Sequence, residues 1–187
     1  MLRLAKRHLH HILNVLHDEI RRGVPIVVLE PSCASVFRDE LTNLLPHDEN
    51  ARRLQQQTFL LSEFLHQKAP DFHPRPLAKK AVVHGHCHHK SVLKMGAEEA
   101  VLEELGLEYN VLDSGCCGMA GAFGFEPGEH YDVSVAAGER VLLPAVRSAE
   151  RETLIVADGF SCREQIAQTT QRRALHLAEV IQLGLDS

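Results

Sequence analysis

Five cysteines stand in this 187-residue chain. Two are adjacent, in Ser114-Gly115-Cys116-Cys117-Gly118-Met119-Ala120-Gly121. The others sit in Glu30-Pro31-Ser32-Cys33, in His84-Gly85-His86-Cys87-His88-His89 and in Gly159-Phe160-Ser161-Cys162. All five fall where the chain is expected to turn, not inside an apolar stretch, where an inert core cysteine would sit. Thiolate is the metal-binding form of cysteine, and glycine lets backbone approach a bulky ligand. The spacing does not match zinc fingers, which use C-x₂₋₄-C pairs; the sequence has no C-x-x-C. Four or five converging thiolates match iron–sulfur ligation instead, and Gly115 and Gly118 leave room for a cluster. A thiol–disulfide catalyst built on Cys116-Cys117 is disfavoured by the same lack of C-x-x-C.

The histidines around Cys87 admit two readings. His86 and His88 are candidate further ligands, or groups that orient a ligand. The alternative is a polar turn that carries surface or capping histidines. A mixed Cys/His zinc site stays open as a competitor. Glu30, Asp113 and Asp158 follow or end strands and read equally as acids or as turn and cap residues. No residue is assigned a catalytic role. Gly118 to Gly124 is glycine-rich, yet it is neither a P-loop nor a dinucleotide fingerprint. His8, His10, His11 and His17 read as a solvated helix face.

Composition narrows the setting. Net charge is −5, the apolar fraction is 44% and Trp is absent, so nucleic acid is not an expected partner. No apolar run is long enough to span a bilayer, and the N-terminus lacks the apolar region of a signal peptide. A reducing cytoplasm is the expected location, where clustered cysteines favour metal or redox chemistry over disulfides.

Helices and strands must position the cysteines. Apolar residues at helical spacing predict a helix over 3–22, stopped by Gly23. Val24 to Leu29 reads as a buried parallel strand. Helices are expected over 34–44 and 50–67, the second with Asp48 placed to cap it. Residues 69–79 hold three prolines in Pro70, Pro74 and Pro76 and read as a linker. Strands are expected at Lys80–His84, Glu108–Leu112 and Thr153–Ala157. Helices are expected over Lys90–Leu105, 129–148 (with Pro144 as a kink or break), from Cys162, and over 172–183. Strands alternating with helices predict α/β layering: a mostly parallel sheet of four or more strands with flanking helices. In such a sheet the loops after the strands gather at one edge, which would bring the cysteines together.

A pseudo-repeat supports this organisation. Helix, apolar strand, acid and Ser-Cys occur in Ile26-Val27-Val28-Leu29-Glu30-Pro31-Ser32-Cys33 and again in Leu154-Ile155-Val156-Ala157-Asp158-Gly159-Phe160-Ser161-Cys162. Leu61-Ser62-Glu63-Phe64-Leu65 then matches Leu177-Ala178-Glu179-Val180-Ile181. The expected layout is the latter half of a first repeat at 1–68, the linker at 69–79 and a second, complete repeat at 80–187. On this reading the chain is a C-terminal piece of a longer protein. Apolar surface meant for the missing half would favour self-association.

Cys116-Cys117-Gly118 and the phrases around Cys33, Cys87 and Cys162 resemble the CCG, or cysteine-rich, domain. That domain occurs in the B subunit of heterodisulfide reductase and in iron–sulfur subunits of glycolate, lactate and glycerol-3-phosphate oxidising systems. The whole chain is most similar to the C-terminal region of large FAD-linked oxidases that carry it. The resemblance implies an electron-transfer module of a flavin-linked 2-hydroxy-acid dehydrogenase. Its cofactor would be an iron–sulfur cluster of the 4Fe–4S type, cubane or non-cubane, with FAD confined to an upstream domain. Cys87, Cys116, Cys117 and Cys162 correspond to the motif cysteines of the second repeat, and Cys33 to the closing cysteine of the first. Implied partners are upstream flavin and ferredoxin-type domains and an acceptor such as a quinone or redox protein, with the inner membrane as a peripheral docking place. One departure stands out: the fullest family pattern ends in C-x-x-C, and here its first position is Gly159. A zinc-bound or metal-free docking module for redox partners is the alternative.

Overall fold

The computed structural model describes residues 1–185; the last two residues of the unit expected at 80–187 lie outside them. The first helical stretch divides at Leu16 into α1 (Leu2–Val15) and α2 (His17–Arg22). Gly23 ends it in the left-handed region at φ 72°, as glycine can without strain. β1 (Ile26–Val28) leads into α3 (Pro31–Ser35), which opens with a proline in its first turn and with Glu30 as cap. A π-helical turn over Val36–Glu40 carries the chain into α4 (Leu41–Leu44). α5 (Glu49–Gln57) starts as the sequence predicts: the Asp48 carboxylate accepts the Ala51 N–H at 3.1 Å. Asp48→Ala is expected to cost about 1 kcal/mol. Urea melts should show a lower midpoint at an unchanged slope.

The helix expected over 50–67 is interrupted. Thr58 Oγ1 donates to the Leu54 carbonyl at 2.7 Å and the chain turns extended, forming β2 (Thr58–Leu60). β2 pairs in parallel with β1, Ile26 opposite Thr58. α6 (Leu61–Lys68) then begins, with the Glu63 carboxylate folded back onto the Leu60 N–H at 2.9 Å. β1 differs from its expectation too. It is parallel but not buried: Val27 is 38% and Leu29 52% exposed, because β2 is its single sheet neighbour.

The proline-rich stretch 69–79 forms no helix or strand, and it packs closely against residues 105 and 106. Leu77 N–H donates to the Leu105 carbonyl at 2.8 Å, and a Cβ on Gly106 would meet Pro76 at 2.9 Å. Beyond it lie β3 (Lys80–Val83), a π-helical turn at His89–Leu93 and α7 (Gly96–Glu104). The single helix expected at Lys90–Leu105 is thus broken at Lys94, whose φ is 73°. β4 (Glu108–Val111) is next, and after the Cys-Cys turn α8 (Glu129–Gly138) and α9 (Leu142–Ser148) replace the long helix at 129–148. Pro144 lies in the first turn of α9, where its missing N–H leaves no bond unmade. β5 (Leu154–Val156), α10 (Phe160–Thr169) and α11 (Leu177–Leu185) complete the chain.

The α/β expectation holds, with the strands divided between two parallel sheets, β1-β2 and β4-β3-β5. Leu175 extends the second through a parallel bridge to Val156. Alternation along the three-stranded sheet sends Val82 and Ile155 toward Leu142, Leu143, Val146 and Ile166, and Ala81, Val83 and Val156 toward Val101, Leu102, Leu177 and Val180. Each fully buried aliphatic side chain here contributes about 1.5–3 kcal/mol. The two Ser-Cys units have matching surroundings. In each, the strand before Ser-Cys gains a parallel partner whose far end opens an acid-capped helix: Glu63 holds Leu60 N–H and Glu179 holds His176 N–H, both at 2.9 Å. The segments around Cys33 and Cys162 also touch. His176 Nε2 donates to the Leu29 carbonyl at 2.7 Å, and Phe160 N–H donates to Glu30 Oε2 at 2.7 Å. Among the described residues, no helix is long and apolar enough to cross a membrane.

Candidate metal centre

β3, β4 and β5 run parallel, so their C-terminal ends share one edge. Cys87 follows β3, Cys116 and Cys117 follow β4, and Cys162 lies in the first turn of α10 after β5. Their thiols interact in a row: Cys87 with Cys116, Cys116 with Cys117, and Cys117 with Cys162. All are free thiols. Cys87, Cys116 and Cys117 face a cavity of about 550 Å³ whose wall also includes His86, His88 and Phe160. Cys162 is fully buried behind them.

Cys33 is placed differently. It is exposed on α3 and is not one of the residues lining the cavity, although its neighbours Glu30 and Ser32 are. Glu30 explains this. Its Oε1 accepts Ser32 Oγ at 2.8 Å while its Oε2 takes the Phe160 N–H, so the first sheet's edge closes against the start of α10. The sequence leaves this carboxylate open as an acid or a cap; its contacts are those of a cap. The Phe125 and Phe160 rings at the cavity wall carry no signal in the sequence beyond isolated aromatic residues.

The two glycines of the Cys-Cys turn play different parts. A Cβ on Gly115 would meet open space. Gly118 has φ 103°, and a Cβ there would lie 2.0 Å from the Ser134 carbonyl oxygen of α8. Gly118 is therefore required by close packing, and its N–H donates to Cys116 Sγ at 3.3 Å. Gly159 is also crowded: a Cβ would come 2.5 Å from His86 Cδ2 and 3.0 Å from Cys162 Sγ. The His86 ring fills the space next to the position where the fullest motif has a further cysteine.

Electrostatics at the row are unfavourable for bare thiolates. The hydrogen bond with Cys117 and burial push the Cys116 thiol far up. The Cys116 hydrogen bond draws Cys117 down, but Cys162 and burial prevail and push it up to about 12. Burial and the Cys116 charge raise Cys87. Cys87, Cys116 and Cys117 resist ionising because neighbouring thiols would share the negative charge in a partly buried place. A cationic metal group is what would reverse this, since coordination deprotonates thiols outright. The donor set therefore fits an iron–sulfur group by its chemistry: four adjoining thiols, free of disulfides, three at the wall of a cavity and Cys162 directly behind them.

Behind the row stands His84. Its Nδ1 shares a hydrogen bond with Ser114 Oγ at 2.7 Å, and Lys90 Nζ donates to the Ser114 carbonyl. Burial first, and the Lys90 charge second, lower the His84 pKa from 6.5 to about 4. The folded chain thus keeps this imidazole neutral while the unfolded chain protonates below about pH 6.5. Its stability contribution is complete above that pH and is lost as pH falls toward 4. The stability difference between wild type and His84→Gln should shrink by about 2 kcal/mol from pH 7 to pH 5. Paired urea melts at the two pH values check it.

Comparison with known proteins gives relatives over most of the chain. It is 34% identical over 164 residues to the C subunit of anaerobic glycerol-3-phosphate dehydrogenase of Escherichia coli, covering 83% of this chain and 39% of that protein. It is 28% identical over 161 residues to D-2-hydroxyglutarate dehydrogenase of Pseudomonas putida, covering 85% of this chain and 15% of that one. The D-2-hydroxyglutarate dehydrogenase of Escherichia coli is 26% identical over 172 residues, or 89% of this chain and 16% of that one. The chain thus spans well under half the length of these curated relatives. No family model matches it, and no solved structure matches it. These relatives are a dehydrogenase subunit and whole dehydrogenases.

Proposed function

We propose that this chain is an iron–sulfur electron-transfer module of a flavin-linked dehydrogenase. The observation that carries the reading is the row of four free thiols, Cys87, Cys116, Cys117 and Cys162, brought to one sheet edge from three separate strands. These four would hold a 4Fe–4S-type cluster, with His86 completing the set where Gly159 supplies no thiol. Cys33, outside the row, is not assigned. Bound there, the cluster supplies reversible one-electron storage.

The chain's own residues shape that chemistry. Gly118 N–H donates to the Cys116 sulfur and would help stabilise added negative charge there. Phe125 and Phe160, both largely exposed, add apolar surface to the cavity wall. Cys117 and Cys162 pack into the apolar core beside Met119 and Ile166, which fixes their positions before any metal arrives. A thiol–disulfide role is not supported, because burial and thiol neighbours keep Cys116 and Cys117 protonated near neutral pH.

The parent protein would oxidise a 2-hydroxy acid on FAD, in a part not contained in these residues, and pass electrons through ferredoxin-type clusters to this module. The D-2-hydroxyglutarate dehydrogenases among the relatives favour that substrate class. Residues 1–68 and 80–187 would be the latter part of one cysteine-rich repeat and a whole second one, joined by 69–79. A quinone or a redox protein would accept the electrons. Protein purified and handled without oxygen should show sulfur-to-iron charge-transfer absorption that bleaches with dithionite and returns with a quinone. Absorption that is absent or unaffected by reductant would reject the proposal.

A further inference from the structure

A second cluster of donor atoms lies in the protein interior, built from residues that the thiol row does not use. His89 is in the π-helical turn that follows Cys87, Glu98 is in α7, and Asp158 follows β5. His89 and Glu98 are each 1% exposed and Asp158 is 5% exposed. One ligand atom from each lies within 4.8 Å of the other two. Three separate segments therefore converge on one point, as metal sites require.

Hydrogen bonding leaves this cluster unsatisfied. Among the described residues, both ring nitrogens of His89 and Oε2 of Glu98 are buried without a hydrogen-bond partner. Buried polar atoms in native proteins are almost always paired, so an orphaned imidazole and carboxylate facing each other call for a missing partner. His89 Nδ1 and Glu98 Oε2 are 3.2 Å apart, yet not in hydrogen-bond geometry. Two ligands on a tetrahedral zinc ion sit about 3.3 Å apart, from metal–ligand distances near 2.0–2.1 Å. Asp158 is held in place from outside: its Oδ1 accepts the Leu177 N–H at 2.8 Å, which orients it as neighbouring groups orient a metal ligand.

We propose that His89, Glu98 and Asp158 bind one structural zinc-class divalent cation, distinct from the thiol-bound group. Imidazole with carboxylates suits zinc, and the absence of thiolate here separates it from an iron–sulfur site. The ion ties the turn that follows Cys87 to the loop that leads into Cys162, with α7 as the third anchor. Its role is to lock the two outer thiol segments in register. Because the site is closed, the ion enters as the chain folds and its binding adds to folding stability.

The test uses the full chain carrying Cys116→Ser and Cys117→Ser, so that the thiol row no longer forms a complete metal site. This protein is refolded with Zn²⁺ alone, dialysed, and measured for zinc content and melting temperature. One retained zinc per chain and a raised melting temperature are expected. Adding Glu98→Gln should weaken zinc binding about 100-fold or more, since even indirect partners of a ligand cost 10–100-fold. His89→Gln should do the same, and Co²⁺ in place of Zn²⁺ should show no sulfur charge-transfer band. Zinc retained by the Cys116→Ser, Cys117→Ser chain, which is expected to hold no iron or sulfide, separates this proposal from the cluster reading, so that either can fail without the other. No retained zinc in the Cys116→Ser, Cys117→Ser chain, or equal zinc with and without Glu98, would overturn it. In that case Glu98 and Asp158 are an acid pair sharing a proton.

Discussion

Replacing Cys116 and Cys117 by serine is expected to strip iron and acid-labile sulfide from the chain together, to below about a tenth of the wild-type content. These two residues form the middle of the thiol row, with Cys87 on one side and Cys162 on the other, so their loss leaves two separated thiols that cannot close a site. The fold should survive. Cys116 is exposed, and Cys117 is buried at the rim of the core, where a hydroxyl in place of a thiol costs about 1–3 kcal/mol. Circular dichroism at room temperature should therefore match wild type. The informative companion is Cys33→Ser, expected to keep its iron and sulfide, because Cys33 lies on α3 outside the cavity wall. Iron and sulfide analysis of the two proteins side by side checks both halves. If Cys33→Ser empties the site as thoroughly as the double replacement, the ligand set of four is wrong.

Gly118→Ala is expected to be the most damaging single-methyl change, at about 3 kcal/mol or more. Two causes add. Gly118 sits at φ 103°, where L side chains are strained, and the new methyl would stand 2.0 Å from the Ser134 carbonyl oxygen. That oxygen cannot yield easily, because the Gln165 side-chain amide donates to it at 3.0 Å from α10. Relief requires α8 to move off the Cys-Cys turn, which would also move Cys117 away from Cys162. The variant should lose stability and metal content together. Gly115→Ala, at a position with open space around its Cβ, should leave stability nearly unchanged. Thermal melts of the pair check the prediction; equal melting temperatures would show that α8 is not packed on the turn as described.

Much of the site is readable from the sequence because it depends on strand order. Once three short β-branched or apolar runs are taken as parallel, the residues after them must meet at one edge, and Cys87, Cys116, Cys117 and Cys162 do. The failures have identifiable causes, most of them long-range. β2 hides inside a helical pattern because Thr58-Phe59-Leu60 continues the apolar spacing of its surroundings; pairing with β1 decides it, and that is a long-range contact. The break at Lys94 hides because the residues on both sides are helical, differing only in that the first turn is a π turn. Gly118 is special in the sequence for ligand space, whereas its crowding by α8 follows from tertiary packing. Glu98 gives no sequence signal at all. A glutamate near a helix start reads as a solvated, favourable charge, and only its burial against His89 and Asp158 sets it apart.

The central claim is that the thiol row holds an iron–sulfur group, and its most direct test is the iron and acid-labile sulfide content of the chain purified without oxygen. Iron and sulfide in near-equal amounts, several of each per chain, are predicted. Neither element present after anaerobic reconstitution with iron and sulfide, or zinc alone held by the cysteines, would contradict the claim and leave a docking module in its place.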